Sequence, residues 1–203
     1  MSTRPRNDFV TKLAGRLGQR ALERGVNPAS PPSTFTYDPD DPTPALGGPK
    51  LDGNRPGPRD NRPLEKRADV LTFTSSALES DLEVIGEVTE QVWLRADRPG
   101  CDLFVRLCDV DQRGRSSNVC DDLVTVRPEG ITEVAVRLSP TAYAFRRGHR
   151  LRVQISAGAF PRFARNLGGD EPVATATEAH VTRLEILHDG AYPSAVLLPA
   201  STA

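Results

Sequence analysis

Apolar and polar residues alternate along most of the chain after Leu64, and this alternation is the main structural signal. Six segments show it, each bounded by Gly, Pro or Asp: DVLTFTS, DLEVIGEVTEQVWLRAD, DLFVRLCDV, ITEVAVRLS, HRLRVQIS and AHVTRLEILHD. Successive side chains of a strand point to opposite faces, so this pattern predicts strands that bury one face. Because no helix-forming segment of about ten residues separates them, the pattern favours antiparallel sheets packed face to face.

Two of these segments show their two faces clearly. Each has an apolar face opposite a polar one, and the predicted core positions are Val134, Val136 and Leu138 in the first and Leu151, Val153 and Ile155 in the second. The predicted fold is therefore all-β, a jelly-roll β-sandwich over about residues 64–200.

The segment before the sandwich has a different composition. Residues 27–63 are so rich in Pro, Gly and Asp that regular structure is nearly excluded, and we predict an extended arm over 31–63. We expect Tyr37, Leu46 and Leu51 to be apolar anchors, with which the arm can lie along a neighbouring surface.

Residues 1–30 form a basic segment with one short apolar pattern. Phe9, Leu13 and Leu17 are spaced four apart, which predicts a short helix over about 7–24 that ends at Gly25. This segment has six basic and two acidic residues, a bias more typical of a solvated tail than of a polyanion-binding site.

Charge and cysteine content narrow the functional class. The net charge of −1 argues against nucleic acid or an anionic membrane as partner, and no apolar run approaches membrane-helix length, so we expect a cytoplasmic protein. The three cysteines suggest neither a disulfide framework nor a metal clip. Cys108 and Cys120 lie symmetrically about Gly114, where a hairpin turn places them opposite each other as free, packed thiols.

Catalytic signals are weak. No serine lies in a G-x-S-x-G turn; Ser156 follows a strand but lacks the preceding glycine and a following helix. His149 stands at a strand entry, where a hydrogen bond to a loop carbonyl is the structural interpretation. His180 and His188 flank another strand and have no evident catalytic role.

The candidate metal-binding and sugar-binding residues also have simple structural explanations. Asp38, Asp40 and Asp41 in YDPDDP offer oxygens to calcium, yet the prolines between them explain the stretch as a rigid turn, and we expect neither metal nor cofactor. Asp121 and Asp122 fit the end of a hairpin. A carbohydrate-type ligand-binding module, which needs exposed aromatic rings, stays an alternative, although we expect Trp93 in the core.

The stretch AFPRFARN, residues 159–166, follows a strand directly and carries two aromatic rings among arginines. Two interpretations remain open. Phe160 and Phe163 either contact another protein surface or fold back over the end of the sandwich core.

Several motifs agree, in order, with a known family: TYDPDDPTPALGG, GPRDNRPLEKRADVLTFTSSALESDLEVIGEV, CDLFVRLCDVDQRGRSSNVCDD, LSPTAYAFRRGHRLRVQISAGAFPRFARNLG and HDGAYPSAVLLPA. Over about residues 36–200 the chain resembles the C-terminal domain of the X-prolyl dipeptidyl-peptidase and cocaine-esterase (CocE/NonD) family of serine hydrolases. The resemblance implies a jelly roll of galactose-binding-like shape. Residues 1–30 match nothing in the pattern.

The resemblance also implies a supporting function. In that family the domain follows an α/β-hydrolase domain that holds the Ser-Asp-His triad, and no triad position falls within this sequence. We therefore expect a non-catalytic domain, inactive alone, that acts with a separate catalytic subunit, self-associates or is the remnant of a truncated gene. The expected docking surface or pocket wall comprises Phe160, Pro161, Arg162, Phe163, Asn166 and Tyr37. Ala164 departs from the family pattern, which commonly has Asp there.

Overall fold

The computed structural model of this chain describes residues 10–14, 20–22, 30–49, 56–172 and 174–202. These residues form thirteen strands, one turn of 3-10 helix (Leu64–Lys66) and no α-helix. In chain order the strands are β1 Val10–Ala14, β2 Arg20–Leu22, β3 Ser33–Tyr37, β4 Leu71–Thr74, β5 Leu82–Gly86, β6 Thr89–Ala96, β7 Cys101–Val110, β8 Ser116–Val126, β9 Thr132–Arg137, β10 Thr141–Phe145, β11 Arg150–Ser156, β12 Thr182–Leu187 and β13 Ala195–Thr202.

The strands form two sheets. In the larger sheet β10, β5, β13, β6, β12 and β3 are neighbours in that order, β9 pairs with β6, and β1 pairs with β2 and with β13. The smaller sheet has the order β4, β11, β7, β8, with antiparallel pairing throughout. Parallel pairing joins β1 to β13, whereas β13 pairs antiparallel with β5 and β6. The predicted antiparallel sandwich is confirmed.

The hydrophobic core lies between the two sheets. The smaller sheet contributes Phe73 and Leu103, and the larger contributes Val92, Leu94 and Phe145, all at most 2% exposed. The predicted core faces are confirmed: Val136, Leu138, Leu151, Val153 and Ile155 are buried, and Val134 packs against them.

Glu90 is a polar exception within this core. It alternates with Val92 and Leu94 on the inward face of β6 and is 0% exposed. Neither of its carboxylate oxygens has a hydrogen-bond partner among the described residues. Burial raises the pKa of Glu90 well above its usual value of 4.5, because the charged form is poorly solvated in the core.

The arm covers the outer face of the smaller sheet. All ten residues of β7 are buried. Leu103, Val105 and Leu107 join the core, and the side chains between them point away from it. On that outer side the Asn61 N–H donates to the Ser116 carbonyl (2.7 Å). The smaller sheet is therefore buried on both faces, and the Pro/Gly/Asp-rich arm acts as a third layer.

Two predictions about the N-terminal half need correction, and a third is not tested. The helix predicted over 7–24 is wrong where the structure describes this segment, since β1 and β2 are strands there; the rest of that range lies outside the described residues. The sandwich begins before residue 64, because β3 pairs with β12 in the larger sheet. Leu51, predicted as an apolar anchor of the arm, also lies outside the described residues.

The predicted hairpin between β7 and β8 is confirmed, with Gly114 in the turn at φ +81°. A register shift pairs Leu107 with Cys120 and Cys108 with Asn118, so the two cysteines are not directly opposite. All three cysteines are free and buried, as expected. Asp121 and Asp122 lie within β8 and not at a hairpin end, which corrects that prediction.

Candidate docking surface

The loop that follows β11 is fastened to the arm by backbone hydrogen bonds. The Phe160 N–H donates to the Thr43 carbonyl (2.9 Å), and the Ala45 N–H donates to the Phe160 carbonyl (2.7 Å). The Phe160–Pro161 peptide bond is cis. Phe160 is 42% exposed, the largest exposure among the phenylalanines that the structure describes. Phe160 and Pro161 therefore present an apolar knob to solvent, beside exposed Pro44.

Below Phe160 and Pro161, side chains of the loop contact successive outward-facing side chains of β7 or their partners. Arg162 pairs with Asp121, the partner of Arg106. The ring of Phe163 packs on that of Phe104, with centroids 6.3 Å apart. Asn166 donates from Nδ2 to the Asp102 carboxylate (2.9 Å). Because Asp102, Phe104 and Arg106 alternate along one strand face, these three contacts fix the position of the loop over the sheet.

A buried cationic centre lies at one end of this contact. Arg106 and Asp121 are each 1% exposed, and Nε and Nη2 of Arg106 lie 2.9 and 2.8 Å from Oδ2 of Asp121. Arg106 Nη1 also donates to the Leu46 carbonyl (2.6 Å) and to Oδ1 of Asn61 (2.7 Å). Strand, arm and loop thus meet at one guanidinium group, and its hydrogen bonds compensate part of the cost of burying a charge.

An anionic centre lies at the other end. Asp102 Oδ1 accepts hydrogen bonds from Asn166 Nδ2 and from the Thr125 hydroxyl (2.8 Å). Burial raises the pKa of Asp102, while these two donors act in the opposite direction. Oδ1 of Asn166 in turn accepts the Gly168 N–H (2.9 Å), so Asn166 bridges the carboxylate and the end of the loop.

The structure divides the predicted docking residues into exposed and buried groups. Phe160 and Pro161 are exposed, whereas Arg162 and Phe163 are half-buried against the sheet. Of the two rings, Phe160 faces solvent, and Phe163 folds back onto Phe104 of β7. Asn166 is 6% exposed and supports the loop from below.

Tyr37 is not a surface residue. It is 2% exposed and belongs to the core, which corrects its assignment to the docking surface. A side chain at Gly158 would meet the Tyr37 ring at 3.3 Å, which places the ring directly beneath the start of the loop. Burial raises the pKa of Tyr37 to about 12, with Asp102 contributing in the same direction.

The histidine and serine candidates have structural partners. His149 Nδ1 lies 2.9 Å from an Asp109 carboxylate oxygen and not beside the loop carbonyl that we expected as its partner. The Tyr143 hydroxyl donates to the same carboxylate (2.9 Å). The Ser156 hydroxyl donates to the Gly158 carbonyl (3.0 Å). Each group is thus committed to the fold at a strand end.

The calcium and sugar candidates also have other roles. Asp38 accepts the Asp40 N–H (2.9 Å) in a tight turn, and the described residues contain no cluster suited to a metal ion. Trp93 does not lie in the core, which corrects that prediction: it lies half-buried on the opposite face of β6 from Val92 and packs on Tyr192. Across the described ranges, no helix has the length and apolar character that crossing a membrane requires.

Sequence reasoning missed the buried ion pair of the site, Arg106 and Asp121. Both lie on strands whose outward faces were expected to meet solvent, where a charge needs no partner. The one available signal was spacing: in a hairpin centred near Gly114, positions 106 and 121 fall almost opposite each other with opposite charges.

Comparison with known proteins gives a consistent result. The model of the X-Pro dipeptidyl-peptidase C-terminal non-catalytic domain matches residues 7–197. Cocaine esterase of Rhodococcus sp. (strain MB1 Bresler) is 32% identical over 197 residues, which cover 90% of this chain and 34% of the esterase. The chain thus spans about a third of the length of this curated relative. The family match starts at residue 7, so it includes most of residues 1–30, for which the sequence motifs gave no resemblance.

Solved structures resemble this fold at low sequence identity. An α-amino acid ester hydrolase superposes with a TM-score of 0.80 at 20% identity, covering 96% of this chain and 36% of the hydrolase. An aminopeptidase from a marine sediment Thaumarchaeota archaeon superposes with a TM-score of 0.78 at 20% identity, covering 87% of this chain and 34% of the aminopeptidase. In both cases the similarity concerns the fold.

Proposed function

Because the chain belongs to the X-Pro dipeptidyl-peptidase C-terminal non-catalytic domain family, we propose that it serves an α/β-hydrolase catalytic domain as the β-sandwich on which that domain packs. The contact surface is the loop of residues 160–166 together with the neighbouring part of the arm. The observation that carries this proposal is the position of Phe160, which is 42% exposed on a loop whose other side is fixed to β7.

Physical arguments support this choice of surface. An exposed aromatic ring beside prolines and arginines has the composition of an interface centre. The loop is anchored to the arm and to β7 at both ends, so little ordering entropy remains to be lost when a partner binds. An apolar knob on a pre-ordered support is thus suited to docking on another protein surface.

Reconstitution tests the proposal. The purified chain is mixed with the α/β-hydrolase domain encoded immediately upstream in the same genome, whether in the same gene or in an adjacent one. We expect a one-to-one complex in size-exclusion chromatography with light scattering. In hydrogen exchange, we expect the amides of residues 160–166 to become more protected when the hydrolase binds.

Activity assays complete the test. Hydrolysis of a p-nitrophenyl ester and of a Gly-Pro chromogenic dipeptide is measured for each component and for the mixture, with a fluorophosphonate probe to label any reactive serine. We expect label on the hydrolase and not on the chain. Separate elution of the two proteins at concentrations of about 10 µM would overturn the proposal.

A further inference from the structure

The charges at the Arg106 end of the docking loop do not balance. Arg106 and Arg162 share the single carboxylate of Asp121, and the side chains are 1%, 14% and 1% exposed, respectively. The remaining acceptors, the Leu46 carbonyl and the Asn61 side chain, are neutral. The centre therefore carries one excess positive charge in a largely buried position.

Other carboxylates of this layer are already engaged. Glu65 accepts from Arg152 (2.5 Å) and from Gln154 (2.7 Å). Asp69 pairs with Arg67 (2.7 Å), and Asp60 pairs with Arg62 (2.6 Å). Each of these pairs is locally neutral, so none of them supplies the missing negative charge. Asp102, at the other end of the loop, accepts from the neutral donors Asn166 and Thr125 and contacts neither arginine.

Arg162 is the member of the centre that can reach a partner. In the part of the chain that the structure describes, Arg162 donates from Nη1 to Asp121, and Nε and Nη2 have no hydrogen-bond acceptor. The guanidinium lies 4.8 Å from the centroid of the Phe163 ring, which holds it in place. Arg162 thus offers unused donors in the fork geometry that binds a carboxylate through two parallel hydrogen bonds.

From this geometry we propose that an Asp or Glu side chain of the docking hydrolase domain binds Arg162 and neutralises the excess charge. The inference rests on the proposed function and specifies the chemistry of its interface. A carboxylate on a protein surface can cover Phe160 and Pro161 at the same time, whereas a small solvent anion leaves the exposed ring uncovered. Desolvation of Arg162 by the hydrolase strengthens the ion pair.

Replacing Arg162 by Met tests the inference. In the free chain this change removes both an attraction to Asp121 and the excess charge, so we expect the melting temperature to stay within about 3 °C of the wild type. In titrations with the hydrolase domain we expect Kd to rise roughly 30-fold or more. The wild-type Kd should also rise between about 0.05 and 0.5 M salt, and Arg162→Met should lose most of this dependence.

The matched control is Arg183→Met, which removes a 59% exposed arginine on the outer face of the larger sheet. We expect its Kd and salt dependence to equal those of the wild type. If Arg162→Met binds as tightly as the wild type, the inference is overturned while the docking function stands. If the wild-type chain itself does not bind the hydrolase, the proposed function fails and the inference fails with it.

A second measurement leaves the fold of the chain untouched. Acidic residues on the hydrolase surface are replaced one at a time by Asn or Gln, and binding to the wild-type chain is measured. We expect one replacement to weaken binding about as much as Arg162→Met, and to have no additional effect when combined with it. A scan in which every replacement leaves Kd unchanged contradicts the inference.

Discussion

The two faces of β7 are equally buried but consist of different chemistry. The inner face contributes Leu103, Val105 and Leu107 to an apolar core whose contacts have no required direction. The outer face contributes Asp102, Phe104 and Arg106, each of which meets a specific residue of the loop or of β8. The inner face thus supplies cohesion between the sheets, and the outer face determines where the loop lies.

The largest expected loss of stability comes from removing the carboxylate that pairs with the buried Arg106 on the outer face. Asp121→Leu leaves Arg106 without a counter-charge, so we expect the free energy of unfolding to fall by about 3–5 kcal/mol. Urea denaturation measures this loss. The control is the double variant Arg106→Met/Asp121→Leu, which leaves only the partly exposed Arg162 charged at this point and should recover most of the loss. A double variant no more stable than the single one contradicts this account.

The inner face should respond to volume and not to chemistry. We expect Leu107→Ala to lower the free energy of unfolding by about 3 kcal/mol through cavity formation, and Leu107→Met by less than about 1.5 kcal/mol, because the volume is conserved. The same denaturation assay measures both. If Leu107→Met is as costly as Leu107→Ala, the inner face is more specific than the comparison implies.

Asn166 tests the outer face at its anionic end. Asn166→Leu removes a donor to Asp102 and the acceptor of the Gly168 N–H, so we expect a loss of about 1–3 kcal/mol. Exchange of the Gly168 amide should accelerate more than that of β11 amides, because the loop loosens before the sheet does. Thr177→Ala, at an exposed position, is the control and should lie within about 0.5 kcal/mol of the wild type.

Glu90 is a titratable group inside the apolar core, so it makes the stability of the core depend on pH. Its pKa is raised by burial, so the folded state keeps a proton that the unfolded state releases above about pH 4.5. The free energy of unfolding should therefore fall as the pH rises above about 4.5, by at most about 1.4 kcal/mol per pH unit. The measured quantity is the difference between wild type and Glu90→Gln from pH 4 to pH 8, since other carboxylates cancel in it. A difference independent of pH contradicts this expectation.

Much of the fold could be predicted from residues such as Leu151, Val153 and Ile155, whose alternation with polar neighbours marks a half-buried strand. β8 escaped the pattern because its sequence, SSNVCDDLVTV, places Asn118 and Asp121 at positions that are buried by the arm. A period of two identifies a strand that faces water on one side. It does not identify a strand whose polar face is covered later by another part of the chain.

The sequence predicted which segment forms the candidate docking surface, but not how its side chains are oriented. The composition of AFPRFARN indicated a functional stretch. Which of its two rings turns outward depends on Phe104, which lies more than fifty residues earlier in the sequence. The misplacement of Tyr37 has the same origin, since β3 reads as part of a proline-rich arm while its pairing with β12 brings the ring into the core. Such contacts arise from tertiary structure alone.

The hydrogen bonds between Thr43, Ala45 and Phe160 join segments more than 110 residues apart in the chain. Contacts between residues this far apart in sequence form slowly. We therefore expect the arm and loop to close after the local hairpin of β7 and β8 has formed. Opening of this layer alone would uncover the charged face of β7 while the apolar core on the other side of the sheet stays covered.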